Sequence, residues 1–502
     1  MPPETVECTS VKDPMNPTPL SKALRVVALV AILSAAFVYE SYRVAAFSSV
    51  DVWGHLRIGF WILSNHAVPD RGVFSQVPDR RWVDSSWGFQ VLLAEAYRVF
   101  GLRSVCLLLM LFKFFLAAVT FLLAGGWRKN IRSAILLSVA AQYVLLDLPL
   151  IPMVCSVLCF GIELLLLLES RRRCDTRYLY WLPPLFLLWA NLHIQFVNGL
   201  LLLGLFLAAE VAERVLRKSG FQAFPGNGLS LAGVLTAALL SLAATLVTPN
   251  LHHLFPESLT AGYGAAQFKY FAEMHALQFR QPQDFVLLLL VMGAFLALGL
   301  QRPRDLFQCA LMVVFAMLAF RVARDVWCAA LPAIASIASA LPESSREGVT
   351  PRLRSVERGL VAGLCLLALV LAFIRTPSDQ VLLRRAGRSL PIKACNFIRE
   401  NQLPGPLFNT SSWSGFLIWY LPEYPVSIDS RLTLYGEKAN QQYFNLMDGT
   451  SRLEENASFV NARTILLEEN SGLAKGLTTL PVLRGQFHVA YQDDLAVVLV
   501  KN

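Results

Sequence analysis

Asp51 and His55 stand four residues apart, so a helix beginning at Asp51 carries both on one face. A carboxylate held there at a membrane surface can take the proton from an acceptor hydroxyl or amine as it attacks a lipid-carried substrate. The same residue also suits an N-cap, where an Asp oxygen satisfies an orphan backbone amide. Further along lie Asp70, inside the turn-forming run Pro69-Asp70-Arg71-Gly72, and Asp84, a second carboxylate able to contact substrate. Phe320-Arg321-Val322-Ala323-Arg324-Asp325 is a short connection between two apolar runs and carries two guanidinium groups. Arg321 and Arg324 can each offer a bidentate fork to phosphate oxygens, which suits a leaving group that gains charge in the transition state. An Arg324–Asp325 ion pair with snorkelling stems is the competing arrangement. His193, close to Asn191 at the edge of an apolar run, is the histidine best placed to face a cavity. Glu273 belongs to a polar segment at about 248–284 with His252, His253, Lys269, His275 and Arg280. Imidazoles with Glu273 or Asp51 suit a divalent metal, and Mg or Mn is a candidate cofactor. No His-Glu-x-x-His spacing supports a metal site, and the pattern requires no cofactor.

These residues need a frame. The chain has 502 residues, 55% hydrophobic and 16% charged, with charges clustered between apolar runs of membrane-crossing length. That excludes a soluble cytosolic enzyme and predicts an α-helical polytopic membrane protein. Spans are expected at about 24–43, 102–124, 131–148, 151–168, 178–191, 197–213, 229–248, 285–300, 305–320, 326–341 and 358–375, about eleven in all. With 44 basic against 35 acidic residues the formal charge is +9, but the excess sits in short loops, which reads as orientation and not as nucleic-acid binding. Nineteen Lys or Arg fall in the segments placed inside with the N-terminus, Arg171–Arg173 among them. The short outer loops hold only Lys269, Arg280, Arg321 and Arg324. The N-terminus is therefore expected in the cytoplasm and the C-terminal part outside.

Three regions follow: a disordered cytoplasmic leader at 1–22, a transmembrane region at 23–375 with a long first outer loop at 47–101, and an extracytoplasmic α/β domain at 376–502. In the first outer loop, Val52–Leu63 and Trp87–Phe100 read as helices lying in the membrane interface. Trp53, Trp61, Trp82 and Trp87 fit an interfacial aromatic belt, with stacking on sugar rings as the other role. In the C-terminal domain, Leu407–Asn409, Pro425–Asp429 and Thr464–Glu468 look like short strands and Phe487–Val500 like a hairpin, with helices at Trp413–Leu421 and Glu437–Met447. The nine cysteines are scattered and read as small apolar residues, not as a disulfide framework.

Several runs also resemble those of a known family. Asp51-Val52-Trp53-Gly54-His55-Leu56-Arg57-Ile58-Gly59, Pro69-Asp70-Arg71-Gly72-Val73-Phe74-Ser75 and Trp82-Val83-Asp84-Ser85-Ser86-Trp87 resemble the first outer loop of bacterial GT-C superfamily membrane glycosyltransferases. Trp189-Ala190-Asn191-Leu192-His193, Trp413-Ser414-Gly415-Phe416-Leu417-Ile418-Trp419 and Ile428-Asp429-Ser430-Arg431 look like later motifs of the same group. The resemblance implies a GT-C-like helical frame in a bacterial inner (plasma) membrane and a polyprenyl-phosphate-linked sugar donor. It puts the acidic residue of the first outer loop at Asp51. Gly54 departs from the aromatic residue frequent in relatives, and the loop lacks an Asp-x-Asp pair.

The combined expectation is a glycosyltransferase that moves a sugar to an extracytoplasmic acceptor, whether glycan, lipid or protein. Asp51 and His55 are its catalytic pair. Asp84, His193, Glu273, Arg321 and Arg324 bind substrate. Membrane lipids are partners and nucleic acid is not. The alternative is a non-catalytic lipid-binding scaffold or a transporter on the same helical frame.

Overall fold

The computed structural model describes residues 51–219, 229–263, 265–302, 304–343, 373–480 and 486–502, together with 359, 362–364, 366–368 and 370–371. The expected leader and the span at 24–43 lie outside the described residues, and that at 358–375 lies partly outside them.

The first outer loop forms α1 (Asp51–Asn65) and α2 (Trp87–Phe100), as the periodicity predicts. There follow α3 (Arg103–Leu123), α4 (Ile131–Val144), α5 (Met153–Arg173), α6 (Leu182–Leu192), α7 (Phe196–Lys218) and α8 (Leu231–Ala244). The polar segment holds α9 (Leu254–Tyr263) and α10 (Ala265–Tyr270), and then come α11 (Pro282–Leu300), α12 (Leu306–Arg321) and α13 (Trp327–Ala340). Among the described residues, Arg103–Arg128, Met153–Arg173, Phe196–Lys218 and Pro282–Leu300 are long and apolar enough to cross a bilayer. Other expected spans form shorter helices, because turns interrupt the apolar runs. Asp175 caps a 3₁₀ turn over Thr176–Trp181 before α6 begins, and the Asp305 side chain accepts from the Gln308 amide to start α12.

Apolar residues lie on both sides of these helices. Leu289, Leu296 and Leu300 on α11 are exposed, while Leu287, Leu290 and Ala294 on the same helix are buried. A surface of that kind is stable against lipid and not against water, so the chain is an integral membrane protein. Its inner face packs around Phe160, Phe186, Trp189, Phe206, Phe315 and Trp327, all fully buried. At one end of the bundle the buried Arg171 ties three helices together, with Glu213 at 2.6 Å, Asp305 at 3.1 Å and Glu210 at 3.4 Å.

The C-terminal part adds α14 (Asp379–Ala386), α15 (Ile392–Glu400), α16 (Ser414–Tyr420), α17 (Leu432–Tyr435), α18 (Glu437–Met447), α19 (Ala457–Asn461) and α20 (Gly472–Thr479). They surround a four-stranded sheet of order β1 (Leu407–Asn409), β2 (Thr464–Glu468), β4 (Ala496–Lys501) and β3 (Phe487–Gln492). β1 and β2 run parallel; β3 and β4 form the expected hairpin. Pro425–Asp429 is not a strand. Its backbone is taken up by the first outer loop instead, with Gln76 N donating to Val426 O at 3.0 Å and Val426 N to Phe74 O at 3.1 Å. The Asn409 side chain completes the pairing, accepting from Ser427 N and donating to Ile428 O.

The two helices of the first loop do not lie free on a lipid surface. Val52, Trp53 and Leu56 of α1 share one core with Phe89 and Leu93 of α2 and with Phe416 and Leu417 of α16. Trp53 is buried edge-on against Phe416 at 5.5 Å, so it is a core residue and not part of an aromatic belt. Where α1 crosses α2, a Cβ on Gly59 would stand 2.1 Å from the Gln90 carbonyl oxygen. Gly59→Ala must therefore push the helices apart. It is expected to destabilise the protein by about 1–3 kcal/mol, read as a lowered thermal midpoint in detergent.

Candidate functional site

A cleft of about 540 Å³ lies between the ends of the apolar helices and the C-terminal sheet module. Asp51, His55, Asp84, His193, Glu273 and Arg324 all line it, although they are spread over more than half of the chain. Arg321 does not. Its guanidinium lies over the Phe268 ring, 5.3 Å from the centroid. A smaller recess of about 50 Å³ shares Asp51, His55, Trp82 and Gln90 with the cleft and reaches Gly415 of α16.

Helix α1 presents Asp51 and His55 one turn apart. Burial raises the Asp51 pKa and the nearby Asp429 charge adds to this, while a hydrogen bond with Ser430 opposes both. His55 Nδ1 lies 3.3 Å from the Gln90 amide nitrogen, which also donates to Asp84 Oδ1 at 3.0 Å. That network assigns the proton of a neutral His55 to Nε2. Burial and the Arg431 charge push His55 down to about 4, so the ring is neutral at physiological pH.

Asp84 is almost completely buried, with Oδ1 accepting from the Ser86 amide and from Gln90 while Oδ2 makes no hydrogen bond. Burial raises its pKa to about 7. Its backbone carbonyl accepts from Asn250 Nδ2 at 2.6 Å, which ties the loop to the segment following α8. His193 leaves the end of α6 in an extended conformation. The Ser156 hydroxyl accepts from Trp189 Nε1 at 2.7 Å and so has its own proton for His193 Nδ1, also at 2.7 Å. Burial holds His193 well below its ordinary value, and the charges of Arg324 and His55 add to the effect.

Arg324 is only loosely paired. Its nearest carboxylates are Asp325 at 3.8 Å and Glu273 at 4.0 Å, and its buried Nε makes no hydrogen bond. The competing reading as an Arg324–Asp325 ion pair is thus met in part, because Asp325 also accepts from Gln195 Nε2 at 2.8 Å. Desolvation at the cleft raises the Glu273 pKa, with the Arg324 charge opposing the rise and the Asp51 charge adding to it.

Sequence reasoning did not single out Gln90 as the link between Asp84 and His55, nor Asp429 and Arg431 as cleft residues. Gln90 carries no local signal. Asp429 and Arg431 lay in a noted motif, but only the fold brings that motif beside Trp82 and Asp84. Among the described residues, no three His, Cys, Asp or Glu side chains form a metal-ligand group.

No family model and no curated protein matches the chain. Among solved structures, ArnT from Cupriavidus metallidurans bound to undecaprenyl phosphate aligns over 96% of this chain and 98% of its own, at 14% identity and a TM-score of 0.46. ArnT from Cupriavidus metallidurans in the apo state aligns over 95% and 98%, at 12% identity and a TM-score of 0.45. The similarity runs end to end at a low level.

The buried Asp84 and His55 make the stability of the fold depend on pH. Folding favours protonated Asp84, so the stability it contributes is full below the ordinary value of 3.8 and is lost as pH rises through about 7. His55 works the other way: stability is full above 6.5 and is lost as pH falls towards about 4. Between about pH 5 and pH 8, the thermal midpoint of Asp84→Asn is expected to fall less than that of the wild type. Parallel midpoint curves for the two proteins would contradict this assignment.

Proposed function

We propose that this protein is a membrane glycosyltransferase that moves a sugar from a polyprenyl-phosphate-linked donor to an extracytoplasmic acceptor. The observation that carries the reading is one cleft, at the ends of lipid-exposed helices, lined by both Asp51 and the loosely paired Arg324. A lipid-linked sugar needs such a place, with its chain in the bilayer and its phosphate and sugar beside polar groups. The charge pattern of the loops supports the orientation, with the N-terminus in the cytoplasm and the cleft and residues 376–502 outside.

In this reading an acceptor oxygen or nitrogen attacks the anomeric carbon while its proton passes to Asp51. The bond from that carbon to the phosphate oxygen breaks, and the electron pair leaves with the polyprenyl phosphate. Burial strengthens Asp51 as a base, and the Ser430 hydrogen bond favours its ionised form. Arg324 receives the phosphate, which is charged before reaction and gains charge during it. Neutral His55 and His193 can donate from Nε2 to substrate oxygens without adding charge. Glu273 limits how strongly Arg324 holds the product, and Asp84 fixes Gln90 and so His55. Arg321, outside the cleft, has no direct role in this scheme.

The test is transfer by the purified protein from polyprenyl phosphates carrying radiolabelled sugars, supplied with an envelope extract as acceptor. Transfer above that of a boiled control is expected. Tight binding of the lipid without transfer from any donor would favour a lipid-binding scaffold.

A further inference from the structure

The cleft contains two arginines in opposite electrostatic situations. Arg324 is held only by longer ion pairs, to Asp325 at 3.8 Å and Glu273 at 4.0 Å, and among the described residues its Nε makes no hydrogen bond. Arg431 is matched completely: Nη2 donates to Asp429 Oδ2 at 2.6 Å and to the Val73 carbonyl at 2.9 Å, and Nε donates to both Asp429 oxygens. Asp429 in turn has no capacity to spare, since it also accepts from the Arg431 amide and from the Tyr435 hydroxyl at 2.9 Å. The guanidinium lies over the Trp82 ring, 4.8 Å from its centroid. One nitrogen remains. Nη1 is buried without a hydrogen-bond partner, although the side chain is only 9% exposed and lines both the cleft and its inner recess.

A buried donor left unmade is costly in a folded protein, and at a cleft wall a ligand oxygen can relieve it. An arginine already neutralised by its own carboxylate offers direction without net charge, so it suits a hydroxyl better than a phosphate. Ser411, Ser412 and Thr433 also line the cleft. An indole that also lines the recess supplies an apolar face of the sort sugar rings pack on.

Resting on the glycosyltransferase reading, we propose that Arg431, held by Asp429 and Trp82, is the saccharide-binding residue of the cleft, donating from Nη1 to an oxygen of the transferred sugar. Arg324 then reads the phosphate and Arg431 reads the sugar. The C-terminal module thereby selects the donor and does not merely cover it.

The experiment compares binding of bare decaprenyl phosphate with binding of decaprenyl phosphate carrying mannose, glucose or arabinose, by thermophoresis of the full chain in detergent. Wild type is expected to bind at least one sugar-bearing lipid more tightly than the bare phosphate. Arg431→Gln should lower affinity for that lipid by about tenfold and leave bare-phosphate affinity unchanged, the upper size expected for one hydrogen bond from a neutralised donor. Arg431→Lys keeps a cation for Asp429 if the Gln variant does not fold, and it should lose the same preference because it lacks the planar fork. Equal losses for both lipids, or no loss for either, would overturn the assignment. A wild type that binds no lipid at all would instead overturn the donor reading, and a wild type without preference for any sugar would overturn the subsite alone.

Discussion

Asp51→Asn is expected to lower the rate of sugar transfer by about 10²–10⁴-fold, the range for removing a positioned general base, with donor affinity unchanged. The asparagine keeps the shape and one hydrogen-bond acceptor, so α1 can keep its start and its packing on α2 and α16. What disappears is the ability to take a proton, which matters only as the acceptor attacks. The measurement is a split between kcat and KM for a labelled polyprenyl-phosphate sugar. Because burial raises the Asp51 pKa, the wild-type rate should also fall with acidification at a higher pH than an ordinary carboxylate would give. Full activity of Asp51→Asn would leave Asp51 as a helix cap and assign the proton transfer to another residue of the cleft.

Arg324→Gln should act on both binding and rate. A hydrogen bond from a charged donor contributes about 1.5–3 kcal/mol, which corresponds to roughly a 10- to 150-fold loss in affinity for the lipid phosphate. A further drop in kcat is expected because the leaving phosphate gains charge in the transition state. Arg324→Lys should recover only part of each, since an ammonium lacks the planar fork. Arg321→Gln is the control. Its guanidinium lies over Phe268 outside the cleft, so donor affinity should stay near that of the wild type. Loss of donor binding in Arg321→Gln but not in Arg324→Gln would reverse the two roles.

Much of the frame could be read along the chain. Apolar runs and their periodicity gave α1, α2 and helices at most of the expected spans, and β-branched runs gave β2 and the closing hairpin, because these patterns depend on neighbours a few residues away. The chain alone therefore determined a helical membrane body, a helical first loop carrying Asp51 and His55 on one face, and a small sheet near the end. Tertiary structure decided the rest. Pro425–Asp429 looked like a strand but pairs with the first loop, since a backbone takes whichever donors and acceptors the fold brings within reach. Trp53 looked like an interfacial anchor but is buried, because α16 arrives more than 350 residues later in the chain to cover it. Gly54 departs from an aromatic pattern, and a Cβ there would touch the Gly415 backbone at 3.4 Å; a ring would hold the two helices apart. That close approach carries the C-terminal module onto the first loop and sets Arg431 over Trp82, beside Asp84 and His55. Local spacing could place Asp51 on a helix face, but it could not show what faces it, because the opposing groups are chosen by packing between segments that are distant in sequence.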